Sequence, residues 1–244
     1  MRLDTFMASS GLVHSRTQAQ HLIRTGKVQV DGRLADKPSM QVEVAANVSV
    51  DTGDDYVSRG AYKLLGAFDR FGDVGLSSPK GRHCLDIGAS TGGFCDVLLR
   101  HGADQVIALD VGHGQLDPRI ADDPRVIEMS GVNIRDVTSE DLPYHPSLIV
   151  SDVSFISLTY VIPVIAKIAA KQADIVLLVK PQFEVGKGHL GKNGVVEDSK
   201  LREAALKTVR DCAEANGLKV VATCLSPIRG THGNEEYLLY ATLR

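Results

Sequence analysis

From residue 57 onward the chain alternates short apolar runs with amphipathic stretches, a pattern that predicts strands and helices in turn. A helix capped by Ser58 runs through Phe68 to Phe71. Cys84, Leu85 and Ile87 predict a buried strand, glycines at 88, 92 and 93 a tight turn, and Asp96-Val-Leu-Leu-Arg100 the helix that leaves it. Further strands are expected at 105–111, 125–129, 147–153 and 175–180, with a helix at 158–170. An amphipathic helix over 199–215 stops at Asn216-Gly217, and two last strands follow at 219–225 and 237–243. This order predicts a seven-stranded α/β sheet whose last strand is antiparallel.

The first 53 residues carry a different pattern. Leu3, Phe6 and Met7 mark a short helix ending near Gly11, and 15–24 a second one, capped by Ser15 and stopped at Gly26. Val28 and Val30 alternate into an Asp31-Gly32 turn, a hairpin signal, and Val42, Val44, Val48 and Val50 supply further short strands. The domains are therefore expected at 1–53 and 58–244, joined by a polar, acidic linker at 54–57.

Composition narrows the function classes. A net charge of −3 and a pI near 6.2 exclude a global basic field, so any polyanion site must be local. One candidate is local: residues 1–37 hold six Lys/Arg against three Asp, while 38–55 hold four acids and no base. Cys84, Cys95, Cys212 and Cys224 lack metal-ligand or disulfide spacing and read as buried thiols of a reducing compartment; no metal is expected. The longest apolar uncharged stretch, 153–166, is too short to span a bilayer, and no apolar signal follows Met1, which predicts a cytoplasmic protein.

The chemistry centres on Asp86-Ile-Gly-Ala-Ser-Thr-Gly-Gly-Phe94. A dinucleotide fingerprint would need a glycine where Ser90 stands. Gly88-Ala-Ser90-Thr-Gly92 also fits a nucleophile elbow, with Asp152 and His232 following in hydrolase order, although an elbow normally comes after several strands and an oxyanion loop. The third reading takes the turn as a cradle whose glycines admit a ligand to the backbone, with Asp110 at the tip of the next strand accepting ribose hydroxyls and Asn133 near an adenine. Asp152 and Lys180 end apolar strands on the side where parallel sheets gather ligands. His113 has no partner at metal spacing. Gly186-Lys-Gly-His-Leu-Gly-Lys-Asn193 nearly fits a phosphate loop, but Asn193 replaces the hydroxyl residue that would hold magnesium; the segment reads as a mobile lid.

Two resemblances connect these pieces. Arg2-Leu-Asp4, the run Gly-Leu-x-x-Ser-Arg-x-x-Ala-x-x-Leu-Ile-x-x-Gly-x-Val-x-Val-x-Gly over 11–32, and Lys37-Pro38 resemble the RNA-binding domain of ribosomal protein S4. The whole chain resembles the TlyA family of haemolysin-like, FtsJ-related ribosomal RNA 2′-O-methyltransferases. The carrying residues are Ser58-Arg-Gly-Ala-x-Lys63-Leu, Asp86 to Phe94, Asp110-Val-Gly-x-Gly-Gln-Leu116, Ser151-Asp-Val-Ser-Phe155, Leu178-Val-Lys-Pro-Gln-Phe-Glu184 and Gly233-Asn-x-Glu-Tyr237. The resemblance implies a Rossmann-like class I methyltransferase sheet with a small α+β S4-type domain ahead of it, and a cytidine 2′-hydroxyl of 16S and/or 23S RNA in the ribosomal subunits as acceptor. It places a catalytic tetrad on Lys63, Asp152, Lys180 and Glu236, with Lys180 as base. S-adenosylmethionine would be held by Asp86, Gly88, Ala89, Ser90, Thr91, Gly92, Gly93, Phe94, Asp110, Asn133 and Asp152. Candidate RNA contacts are Arg2, Arg16, Arg24, Lys27, Arg59, Lys187 and Lys192. Non-enzymatic alternatives are an RNA-binding assembly factor or a membrane-acting haemolysin. The sequence leaves oligomeric state open, a monomer being the simplest expectation.

Overall fold

The computed structural model describes residues 1–13, 15–43, 46–50, 55–230 and 232–244, without the side chains of Gln18, His21, Lys187 and Lys192. Backbone contacts divide the chain into two compact units, Met1–Asp55 and Tyr56–Arg244.

In the first unit, α1 (Leu3–Ser9) and α2 (Arg16–Arg24) pack on a small antiparallel sheet of β1 (Val28–Val30), β2 (Arg33–Leu34) and β3 (Val48–Val50), in the order β2-β1-β3. Helical spacing places Leu3 with Met7, and Ala19 with Leu22 and Ile23, on the faces that meet Val28 and Val30 in one core. Asp31 and Gly32 have φ of 51° and 77°, the doubly left-handed pair that a two-residue hairpin turn requires. Val42 is buried but in no strand: its N–H donates to the Met1 carbonyl, and neighbouring Gln41 makes only an isolated bridge to Arg2. Val44 lies outside the described residues, as does Asp54 of the expected linker.

The second unit is built in sequence from α3 (Ala61–Phe71), β4 (His83–Ile87), α4 (Gly93–Arg100), β5 (Gln105–Asp110), α5 (Pro118–Ala121), β6 (Val126–Ser130), β7 (Leu148–Ser151) and α6 (Leu158–Ile168). It continues with β8 (Ala173–Val179), α7 (Pro181–Glu184), α8 (Ser199–Ala215), β9 (Lys219–Leu225) and β10 (Tyr237–Leu243). The sheet order is β6-β5-β4-β7-β8-β10-β9, with β10 antiparallel to both neighbours and the other pairs parallel. Both faces are covered, which is why the central strands read as continuous apolar runs. Along β8, Val176 and Leu178 join the core that includes α3 and α4, while Ile175, Leu177 and Val179 join the one that includes α6 and α8. Each such side chain contributes about 1.5–3 kcal/mol on burial.

Two expected details differ. Ser58 does not cap α3; its hydroxyl accepts the Gly60 N–H at 3.2 Å in a turn that precedes the helix, and Gly60 occupies the cap position. Asp152 and Lys180 stand one residue beyond β7 and β8, in the loops above the sheet, because the last paired residues are Ser151 and Val179. Chain order reverses direction between β4 and β7, and the crevice above that point is where an open α/β sheet offers a ligand site.

Candidate active site

Strand register brings the expected site residues to one level. Ile87 pairs with Ser151, so Gly88 and Asp152 emerge side by side; Val179 pairs with Tyr237, so Lys180 and Glu236 do the same. Lys63 reaches them from the first turn of α3. Its ammonium lies 2.9 Å from Glu236 Oε2 and 3.3 Å from Asp152 Oδ2. Lys180 Nζ lies 2.6 Å from Asp152 Oδ1 and donates to Ser154 Oγ at 2.8 Å. Lys63, Lys180 and Glu236 are all buried, and the formal charges of the two lysines and two carboxylates cancel. Unpaired, any one of them would be strongly unfavourable there. Gln182 extends the chain, its amide donating to Glu236 Oε1 at 3.2 Å.

The glycine turn lies beside this chain. Gly88 has φ +85°, and a Cβ there would come within 2.9 Å of the Asp152 carbonyl oxygen, so only glycine lets β4 and β7 close up. Ser90 also has positive φ, 48°, held by its N–H donating to Asp110 Oδ2 at 2.9 Å. Asp110 Oδ1 accepts the Gly112 N–H at 2.8 Å, which leaves each oxygen further acceptor capacity. Asp86 is fully buried: Oδ2 accepts the Cys95 N–H at 3.1 Å near the start of α4, while Oδ1 has no partner among the described residues. Burial, reinforced by the charges of Asp152 and Asp110, pushes this carboxyl up to about 7.

Two cavities open here. One of about 310 Å³ is lined by Lys63, Asp86, Gly88, Asp152, Lys180 and Arg59, among others. The second, of about 810 Å³, is lined by Asp110, Gln115, Asn133, Phe155 and their neighbours. Gly88, Ser90, Asp152 and Ser154 belong to both walls. Ala89, Thr91, Gly93 and Phe94 line the smaller cavity; Gly92 packs against Ile120. Asn133 also accepts the Arg135 N–H, capping a short turn.

Some expected arrangements are not assembled. Ser90 Oγ faces Gln115 Oε1 at 3.3 Å and both Asp152 oxygens are engaged by lysines, so the hydrolase order Ser90, Asp152, His232 does not become a triad. The Gly186–Asn193 segment forms two short 3₁₀ turns instead of a loop that opens a helix, and Val196 ties it to the Asn234 side chain at 3.1 Å. The side chains of Lys187 and Lys192 lie outside the described residues. In the first unit, Arg2 and Arg16 converge on buried Asp4 at 3.0 and 3.1 Å. Hydrogen bonds from Arg2, Gln20 and Arg16 hold that carboxyl well below the usual range, against the cost of burial. Arg24 is exposed and Lys27 half-buried at the end of α2.

Sequence reasoning missed Ser154, Gln182 and Phe155 as parts of the site. The first two sit two residues after Asp152 and Lys180, but the contacts that matter are long-range. Phe155 is 91% exposed with φ +64° at the lip of the larger cavity, its ring 5.1 Å from that of Phe183. An exposed aromatic in a strained conformation is a departure that only a structure reveals.

Comparison with known proteins identifies two families in the chain. Residues 56–243 match the FtsJ-like methyltransferase model and residues 1–48 the S4 domain model. The chain is 46% identical to the 16S/23S rRNA (cytidine-2′-O)-methyltransferase TlyA of Mycobacterium tuberculosis, over 98% of this chain and 88% of that one. Among solved structures, a protein from Streptococcus thermophilus named as a hemolysin is 38% identical, with TM-score 0.76, covering 100% of this chain and 88% of that one. A protein from Listeria monocytogenes named as an S-adenosylmethionine-dependent methyltransferase is similar in fold, at 13% identity and TM-score 0.53, over 74% of this chain and 99% of that one.

Proposed function

The chain belongs to the FtsJ-like methyltransferase family, with an S4 domain at its amino terminus, and from that premise we propose that it methylates a ribose 2′-hydroxyl of ribosomal RNA, using S-adenosylmethionine. The observation that carries the reading is the buried chain Lys180, Asp152, Lys63, Glu236, whose two lysines line the smaller cavity and whose Asp152 stands in the wall it shares with the larger one.

The residues present suit the cofactor. Asp86 Oδ1 is an orphaned buried acceptor bordering the smaller cavity and matches an ammonium donor. Asp110, at the tip of β5, has lone pairs left for vicinal hydroxyls, and Asn133 with Asp110 lines the larger cavity, roomy enough for an adenosine. Bound there, S-adenosylmethionine supplies an electrophilic methyl group on a sulfonium. Everything else falls to side chains of this protein. A ribose hydroxyl is a weak nucleophile, so transfer needs proton removal and alignment. Lys180 Nζ, in its amine form, takes the proton. Asp152 and Ser154 hold that nitrogen in place, and Asp152 adds negative charge beside the sulfonium. Lys63, held by Asp152 and Glu236, directs its remaining N–H toward the acceptor oxygen. Phe155 offers its exposed face to a base.

Arg2, Arg16, Arg24 and Lys27 contact RNA phosphates from the S4 domain, Arg59 does so at the mouth of the smaller cavity, and Lys187 and Lys192 touch RNA from the segment after α7. The acceptor is a cytidine in 16S or 23S RNA, in keeping with the name of the mycobacterial relative. The protein works as a monomer in the cytoplasm, with ribosomal subunits as its partners. No described helix is long and apolar enough to cross a membrane, and a haemolytic activity rests on names alone. The test is incubation with radiolabelled S-adenosylmethionine and unmodified 30S and 50S subunits, followed by mapping of the labelled nucleoside. Label on a cytidine ribose supports the reading. No label, with cofactor bound, points to an assembly factor that keeps the fold without the reaction.

A further inference from the structure

Glu236 is the most enclosed member of the tetrad. Its side chain is 2% exposed; Lys63 engages Oε2 at 2.9 Å and the Gln182 amide donates to Oε1 at 3.2 Å. The Gly230 backbone closes the remaining side, since even a Cβ there would collide with the carboxylate. A carboxylate so placed can hold Lys63 in one orientation only if its own orientation is fixed, and Gln182 is the group that fixes the second oxygen.

The backbone that presents Gln182 is itself pinned at both ends. Lys180, just before α7, is tied to Asp152 and Ser154. Glu184, at the end of α7, accepts from Ser157 Oγ at 2.5 Å and from the Leu158 N–H at 2.9 Å, which fastens it to the start of α6. Between them, Phe183 packs against Phe155. One short helix thus touches the base, the aromatic lip, the start of α6 and, through Gln182, the far end of the tetrad. Gln182 also carries a cost. Its Oε1 is buried with no partner among the described residues. A side chain selected for stability alone would not leave an acceptor unsatisfied there.

We propose that Gln182 is a positioning residue of the transfer reaction: it orients Glu236, and through Glu236 it sets the direction of Lys63. The proposal rests on the methyltransferase reading above and adds to it a residue outside the tetrad.

The test compares Gln182→Leu with Glu236→Ala, singly and together, in the full-length protein. Methyl transfer to unmodified ribosomal subunits is followed under single-turnover conditions, with cofactor affinity by calorimetry and thermal unfolding alongside. For Gln182→Leu the maximal rate should fall about tenfold to a hundredfold, the worth of a hydrogen bond to a charged group. Cofactor affinity should stay within about twofold. Tm should change little, because removing the unsatisfied Gln182 acceptor offsets the hydrogen bond lost at Glu236 Oε1. Joined to Glu236→Ala, the leucine substitution should cost nothing further, since the group it orients is gone. Gln182→Met, unbranched and close in volume, serves as the second variant and should behave alike.

Three results would overturn the proposal: a Gln182→Leu rate within about twofold of wild type while Glu236→Ala is impaired, a loss that persists in full on the Glu236→Ala background, or a loss matched by a fall in Tm for both leucine and methionine. If Glu236→Ala itself transfers methyl groups normally, the tetrad reading fails first and the role of Gln182 falls with it.

Discussion

Replacing Asp86 by Asn should stabilise the second unit at neutral pH and remove cofactor binding. In the folded protein burial pushes this carboxyl from its ordinary 3.8 up to about 7. Between those two pH values the folded chain holds a proton that the unfolded chain has released. Stability therefore falls as pH rises through that window, by about 4 kcal/mol in all, and stays level above it. Asn cannot ionise, and its carbonyl can still accept the Cys95 N–H, though a neutral bond there is weaker by about 1 kcal/mol. The net gain at pH 8 is about 3 kcal/mol, or roughly 6–12 °C in Tm for a unit of this size, shrinking toward pH 4. Cofactor binding runs the other way. An ammonium beside Oδ1 favours the carboxylate, so binding to the wild type releases a proton and affinity rises up to about tenfold per pH unit from 5.5 to 7 before levelling off. In the Asn variant that rise disappears along with most of the affinity. Unfolding curves and calorimetric titrations at pH 5.5, 7 and 8 would measure both effects. A wild-type affinity that is flat with pH, or an Asn variant less stable than wild type at pH 8, would refute the reasoning.

Lys180→Ala should lower methyl transfer by about 10²–10⁴-fold, the usual worth of a positioned base, with cofactor affinity nearly unchanged; an equal loss of cofactor affinity would count against its role as base. Arg16→Ala with Arg24→Ala should weaken RNA binding and reduce the slope of log affinity against log salt by about 1.5, as expected for two lost phosphate contacts, without changing cofactor affinity. Gly230→Ala should cost about 1–3 kcal/mol of stability, read by denaturant unfolding, and lower transfer as well, because its Cβ would press on the buried, ion-paired Glu236 carboxylate.

Apolar periodicity disclosed the sheet because its strands are buried on both faces and its helices on one. The ranges 199–215, 219–225 and 237–243 are those of α8, β9 and β10. Local signals faltered where a tertiary contact decided the outcome. Ser58 has the chemistry of a cap, but the chain turns once more before α3 begins. Val42 has the composition of a strand residue, but its N–H bonds to Met1 outside any ladder. Lys63 looks like any lysine on an amphipathic helix, and its burial depends on two carboxylates far along the chain, at Asp152 and Glu236. The family motif singled it out; periodicity would have left it in solvent. Gln182 and Ser154 stand inside motifs of the same resemblance but with no site role attached to them, and their partners become visible only when strand register is known.

Asp152 is where these arguments meet. It bridges two ammonium groups, one oxygen to each, and emerges next to Gly88 because β7 pairs with β4. Its partners are lysines and that of the Ser90 hydroxyl is Gln115, which is why the elbow-like sequence around Ser90 does not assemble a hydrolase triad. Nor can Asp152 be removed alone: Lys180 and Lys63 would then share a buried site with only Glu236 to balance them, and one ammonium would have to leave the site or give up its proton. The tetrad is therefore a single electrostatic unit, in which exchanging any one charged member changes the positions of the others. Gln182, uncharged and at the end of the chain, is a contact through which the geometry can be perturbed while all four charges are kept.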